Sequence, residues 1–353
     1  MKNILIILIS TLILACESFP SEPKQDTSKI SAGAYVLCEG LMGRNNTSIV
    51  RYDFAEGVTV NNYFSKINSG LNLGDTGNDL VRFGDTAFVA VTISNTIEAF
   101  QISTGKWVGR IIFNGNPKPR QIAILNAEKA YVTLQDADKI VEFNPTLIQL
   151  TERELQVGAA PEGITVLENN IYVVNSGFGD YRQHHSNAST LMKIDANSLT
   201  ITNKVKTGVN PQFVKSDIEN KSVIISYRNL ASLTLVDSTG GLEIYNAETL
   251  EKNASYSMEV VDFDISNPKY IYFASSNSLV KLNTASHKKD TLYLRNSKYE
   301  YFYGIKYNKS KNEIWVCDAL DYQRNGKVNI FDEFGNLLKV FTTDVNPSRV
   351  IFF

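Results

Sequence analysis

The chain has 353 residues, 43% of them hydrophobic and 20% charged, a balance that excludes a disordered or fibrous protein. Its net charge of −2 leaves no bulk basic footprint, so no nucleic-acid partner is expected. Tyr (17) and Phe (18) are abundant while Pro (9) is modest, which suits a strand-rich chain.

The first element along the chain is a targeting segment. Met1-Lys2-Asn3 forms a short basic start, and the run from Ile4 to Ala15 is apolar. Such a run is too short for a membrane-spanning helix, which takes roughly 20 residues. It ends in Leu12-Ile13-Leu14-Ala15-Cys16, which resembles a bacterial lipobox with a small residue before the cysteine. That resemblance implies cleavage after Ala15 and lipidation of Cys16; a secretory signal that merely contains a cysteine is the alternative. Glu17 to Lys29 is polar, aperiodic and Pro-containing, as a flexible tether is. The expected organisation is a leader (1–15), a lipidated Cys16 with its tether (16–31), and one folded unit (32–353). The expected location is the outer membrane, anchored by lipid and facing the cell surface, with the periplasmic face as the alternative.

Within the folded unit a six-residue pattern ending in Asp, Asn or Gln recurs seven times. Its copies end at Asp53, Gln101, Asn144, Asp195, Asn246, Asn283 and Asp332, 279 residues over six intervals. A period of about 46 residues is that of a propeller, in which each repeat is one sheet that cannot bury its faces alone. The terminal Asx can accept from backbone N–H groups two residues on and so begin a tight turn. Before each copy lies a nearly continuous apolar run, such as Ala34–Cys38, Ala130–Leu134 or Ile314–Asp318, suited to a strand buried on both faces. Earlier still comes a turn and a short strand, as at Pro119, Pro161, Pro211 and Pro347, with Gly77, Gly163 and Gly304 at or near such starts. Small residues there allow innermost strands to approach closely. After each Asx turn a fourth strand, for example Trp107–Phe113, Leu199–Val205 or Leu337–Phe341, is expected to be the polar outer edge. The fold class predicted is all-β: a seven-bladed propeller of four antiparallel strands per blade. The first repeat lacks an innermost strand and the C-terminus supplies a spare one, Ser348–Phe353, so the C-terminal strand should complete the first blade.

Cys38 and Cys317 fall in the first and seventh repeats, neighbours in a closed ring. Two buried free thiols are expected; export would permit a bridge instead.

The loops between second and third strands (39–47, 92–95, 135–138, 176–189, 228–240, 276–277 and 319–326) vary greatly in length. In an up-and-down blade they share one face with the links between blades. Long loops on a rigid scaffold are the usual carriers of function. They hold Glu39, Arg44, Asn45 and Asn46; Phe178, Asp180, Tyr181, Arg182, His184 and His185; Arg228 and Asn229; and Asp321, Tyr322, Gln323 and Arg324. Tyr and Arg combine rigid area with directional donors, as binding hot spots do. Asp75, Asn78, Arg120, Glu162, Gln212, Tyr303 and Arg349 are expected nearer the axis on that face. The candidate ligand-binding set is therefore Arg44, Asn46, Asp75, Arg120, Glu162, Tyr181, Arg182, His184, Gln212, Arg228, Tyr303, Tyr322, Arg324 and Arg349.

No catalytic, metal or cofactor signature stands out. There are three His residues and no CxxC, HExxH, GxSxG, Walker or GxGxxG motif. The adjacent His184 and His185 should point apart on an extended chain and lack a third ligand. Asp136, Asp138 and Asp75 do not have the spacing of a calcium loop. Asp262 and Asp264 share one face of an innermost strand, as a structural pair or an acid/base pair.

Three segments, Tyr35–Gly40, Asn45–Ser48 and Leu73–Asp79, resemble the YncE-like propeller lipoproteins of Bacteroidota cell surfaces. The resemblance extends over essentially everything after about residue 32, although Cys38 stands where the family commonly has Asn. It implies a surface lipoprotein. Some members of this broad family bind vitamin B12 and pass the corrinoid to an outer-membrane transporter, so a small-molecule ligand and such a transporter are the partners implied. No binding residue carries over by motif. The expected function is ligand capture on the long-loop face by a monomeric, non-enzymatic propeller without a cofactor. An envelope scaffold for protein or glycan is the second reading, a hydrolase or lyase the third.

Overall fold

A computed structural model describes residues 31–179, 181–228, 240–267, 269–297 and 300–353, without the Asn267 side chain. The leader, Cys16 and nearly all of the tether lie outside the described residues, as do Asp180 and Asn229.

The described strands form seven four-stranded sheets, and the strand pairings within them are antiparallel. Counting from the closure, the innermost strands of blades 1 to 7 are Pro347–Phe352, Gly77–Phe83, Pro119–Ile124, Pro161–Leu167, Pro211–Asp217, Asp262–Asn267 and Tyr301–Asn308. The repeat therefore translates into a closed seven-bladed ring. Six of the seven pattern-ending residues behave as expected. Asp53 Oδ1, for instance, accepts from the N–H groups of Ala55 and Glu56 at 2.8 and 2.9 Å, and Asn246 does the same for Glu248 and Thr249. Gln101, one methylene longer, instead accepts from the Thr104 hydroxyl at 2.8 Å.

The second strands carry the cores. Gly33–Cys38 is buried along its whole length, and its alternate side chains feed two different clusters. Tyr35 and Leu37 pack between blades 1 and 2, while Ala34, Val36 and Cys38 pack against Trp315 and Cys317 of blade 7. This is the two-sided burial that stacked blades demand. Both thiols are free and buried in that shared cluster, and burial pushes each well above the usual thiol range.

Closure is by the C-terminal strand, hydrogen-bonded to Gly33–Cys38 in register Ala34↔Phe352, Tyr35↔Ile351 and Val36↔Val350. Close approach of innermost strands explains two glycines. A Cβ on Gly163 would lie 2.7 Å from the Val214 nitrogen, and one on Gly304 would collide with the Ser348 carbonyl oxygen. Neighbouring blades are also clasped by carboxylates: Asp79 accepts the Ile122 N–H at 2.9 Å, Asp262 that of Ile305 at 3.2 Å and Asp264 that of Tyr307 at 2.9 Å.

Two features depart from the sequence reading. The outer edge is not uniformly polar: in blade 2, Trp107 (41%), Val108 (46%) and Ile112 (62%) are exposed. In blade 1 the outer strand shrinks to Thr59–Val60 and a short helix, Tyr63–Ile67, follows it. Tyr63 and Phe64 plug the cluster between blades 1 and 2, so burial there outweighs extension of the edge strand.

Candidate functional site

Each innermost strand starts at the long-loop face and runs down the axis, so its first residues sit at the mouth of a central channel. There Glu39, Asn78, Arg120, Gln212, Arg228 and Tyr303 surround a well of about 90 Å³, floored by Gln121, Phe213 and Arg349. The floor is a waist. The Arg349 guanidinium stacks over the Phe213 ring at 4.6 Å, and Gln121 Nε2 donates to the Gln212 carbonyl at 3.1 Å. Below the waist the channel widens into a chamber of about 470 Å³.

Three arginines reach the well, and they are not equally engaged. Arg120 Nε pairs with Glu162 Oε2 at 2.6 Å, and Glu162 is also held by Gln135 Nε2. With its amide oriented to satisfy both sides, Asn78 accepts from Arg120 Nη1 at 2.9 Å. Arg349 Nη1 lies 3.4 Å from Asp262 Oδ2, with Nε 3.6 Å from Asp79 Oδ1. Arg228 donates through Nη2 to the Val261 carbonyl at 2.8 Å, while its buried Nε has no partner among the described residues. On the acid side, Tyr303 Oη donates to Glu39 Oε2 at 3.0 Å. Burial raises the Glu39 carboxyl above its ordinary value, against the pull of Arg349, the Tyr303 hydrogen bond, Arg120 and Arg228. Burial also pushes the Tyr303 phenol up, with Glu39 adding to it. The well is thus a cationic pocket holding one reluctant carboxylate.

Of the residues singled out from sequence, Glu39, Asn78, Arg120, Gln212, Arg228, Tyr303 and Arg349 converge here, with Glu162 one contact behind. Tyr322 joins them indirectly, stacked on Tyr301 and edge-on to Tyr303, both at 5.4 Å. The others lie elsewhere. Asp75 organises a loop by accepting from the Gly43 N–H and the Thr76 hydroxyl. Asn46 accepts the Leu41 N–H at 2.8 Å and, with Asn45, Asn62, Asn72, Asn325 and Asp344, lines a separate polar groove of about 330 Å³. Arg44 is exposed at its loop tip. Arg182 is spent on Asp138 at 2.7 Å and the Gln135 carbonyl at 2.8 Å. Tyr181 stands 79% exposed beside Phe178, their rings 5.4 Å apart. Arg324 is held by Glu300 and Asp321, each at 3.2 Å.

The two adjacent histidines correct the expectation of divergence. Their loop is a chain of turns rather than an extended segment, and the His184 and His185 rings lie 4.4 Å apart. Among the described residues, no group of three or more His, Cys, Asp or Glu is placed to hold a metal ion. The loop given as 319–326 is also shorter, because its flanking strands run to Leu320 and resume at Asn325.

Asp262 and Asp264 do share a face. Burial works against the Asp264 anion, yet Lys306, Lys215 and the Tyr307 N–H together hold its carboxyl down at about 2. It stays ionised near neutral pH, so it serves as a clasp and counter-ion rather than a proton donor. Sequence reading missed Gln121, Phe213, Lys215 and Lys306. The alternation of Phe213 with Lys215 on one innermost strand was the available signal.

No protein-family model matches the chain, and no curated protein sequence matches it. The fold is widely shared: 1399 chains of solved structures match, a breadth that denies the fold any power to select one function. One is a quinonprotein alcohol dehydrogenase-like protein from Bacteroides thetaiotaomicron, 14% identical, with a TM-score of 0.69 over 92% of this chain and 78% of that one. Another is the hydrazine synthase of Kuenenia stuttgartiensis, 16% identical, TM-score 0.63, covering 75% of this chain and 86% of that one. A third, a functionally unknown protein from Desulfotomaculum acetoxidans, is 11% identical with a TM-score of 0.57, covering 74% and 81%. At such identities the likeness is one of fold alone.

Proposed function

We propose that this chain is a lipid-anchored, YncE-like ligand-binding propeller of the outer-membrane surface, an accessory to nutrient capture. Its ligand lies across the long-loop face and lowers an anionic group, carboxylate or phosphodiester, into the central well. The observation that carries this is Arg228, whose buried Nε has no acceptor among the described residues at a mouth shared with Arg120 and Arg349. A buried guanidinium N–H without a partner is costly, and an incoming oxyanion would satisfy it. The well's 90 Å³ falls below the roughly 300–1,000 Å³ of pockets that engulf a drug-sized ligand. Most of the ligand would therefore rest on the rim, where Tyr322 and, on the opposite side of the ring, Phe178 and Tyr181 offer ring faces. A corrinoid, with its phosphodiester and broad amide-bearing periphery, fits this division.

A second reading, an envelope scaffold for a protein or glycan, draws on the same rim, since Met42 (78%) and Tyr181 (79%) stand well out into solvent. Calorimetric titration with cyanocobalamin separates the two. Saturable binding weakened about tenfold or more by Arg228→Met, and by Tyr322→Ala, is expected from capture. Absence of heat, with a co-purifying envelope protein lost in Tyr181→Ala, would replace capture with the scaffold.

A further inference from the structure

A cavity larger than the well lies below the waist. It is the lower chamber of about 470 Å³, within the range of small-molecule sites, touched by the innermost strands of all seven blades. The Arg349–Phe213 stack separates it from the upper well, so it is reached from the face of short turns.

The chamber's charge is organised by blade. Arg349 of blade 1, Arg82 of blade 2, Lys215 of blade 5 and Lys306 of blade 7 line it, whereas blades 3 and 4 bring the neutral Gln121 and Thr165. Against these four cations stand Asp79 and Asp262 in the lining and Asp264 just behind, within 3.3 Å of both Lys215 and Lys306. Three carboxylates cannot neutralise four cations. Burial also raises the Asp79 carboxyl, which favours its neutral form and widens the imbalance.

Donors remain as well as charge. Lys306 makes a single ion pair, at 3.3 Å, and its side chain is 41% exposed. Arg82 spends Nε on the Gly84 carbonyl and Nη1 on that of Phe352, leaving Nη2 without a hydrogen-bond partner among the described residues. Lys215, by contrast, is tied to the Phe263 carbonyl and both blade 6 acids, and serves to set the field.

We infer that this chamber is a second binding site, for a small oxyanion-bearing molecule, carboxylate or phosphate, that enters from the short-turn face and is gripped by Lys306 and Arg82. A low-dielectric channel walled by unbalanced cations concentrates such anions. Arg349 borders both cavities, whereas Lys306 and Arg82 line only the chamber.

The test is calorimetry of the purified protein with inorganic phosphate and with succinate at matched ionic strength, and with succinamide as the neutral analogue. A saturable anion site that persists in Arg228→Met is expected, none for succinamide, and weakening of that site by about ten- to hundredfold in Lys306→Met and in Arg82→Met. Arg228→Met should leave this binding unchanged, because that side chain belongs to the upper well. Thermal melts of the folded variants check that the loss is local, and chemical-shift changes confined to lower-chamber amides would place the ligand directly. Three results would overturn the inference: no saturable heat from either anion up to about 10 mM, equal binding of succinamide, or binding lost in Arg228→Met and retained in Lys306→Met.

Discussion

Removal of residues 348–353 tests the closure most directly. Val350 and Ile351 are 5% and 8% exposed and point to opposite sides of their strand, Val350 into the blade 7 seam and Ile351 into the blade 2 seam. Phe352 lies 5.2 Å from the Trp315 ring and Phe353 4.5 Å from that of Tyr35. At about 1.5–3 kcal/mol for each fully buried side chain, and half that for the two phenylalanines, the loss is roughly 5–9 kcal/mol. That is comparable with the whole stability of an ordinary domain, about 5–15 kcal/mol. The cut also bares the edge of Gly33–Cys38, four of whose residues pair with the removed ones. Thermal unfolding followed by circular dichroism should show no cooperative transition in the truncated protein. Ile351→Ala, a graded version, should cost about 2–4 kcal/mol and lower Tm by about 4–10 °C. A truncated protein that melts within about 3 °C of the intact one would refute the closure argument.

Other outcomes follow from the innermost strands and the well. Gly304→Val should destabilise by about 2–4 kcal/mol in chemical denaturation, because its side chain meets the Ser348 backbone across the seam rather than a flexible tip; an unchanged midpoint would contradict that contact. Asp264, held at about 2 against an ordinary 3.8, contributes about 2 kcal/mol that is fully present above pH 4 and lost as pH falls through 2. Asp264→Asn should accordingly be less stable at pH 6, with the gap closing towards pH 2; a constant gap would mean that the charge is not responsible. Glu39 titrates above its usual value, and as an anion it competes with an incoming oxyanion for the three arginines. Affinity at the well should rise as pH falls from neutral through the raised Glu39 titration, and Glu39→Gln should show the tighter affinity throughout with a flatter profile. A pH dependence that survives in Glu39→Gln would assign it to another group.

What the sequence determined by itself is the repeat and nearly everything local to it. Each strand's pattern is set by its own periodicity, and six of the Asx residues close their turns with N–H groups two or three positions away, so neighbours in sequence suffice. Closure was legible too, because a repeat without an innermost strand and a spare strand at the far end leave one way to bury both edges. The face carrying Arg120, Gln212, Arg228, Tyr303 and Arg349 followed from strand direction alone. Only the tertiary structure decided which of these side chains are fully engaged: Arg182 and Arg228 look alike in a loop, yet one finds Asp138 and the other leaves a buried N–H unmatched among the described residues. It also decided that the channel is cut in two. That depends on Arg349 meeting Phe213 across the axis, a contact between residues 136 positions apart that no local pattern encodes. The helix Tyr63–Ile67 belongs with these, since the cavity it fills is built by blade 2 as much as by blade 1. Backbone order is a property of short segments, whereas the pairing of charges and the filling of seams depend on whichever distant residue the ring brings round.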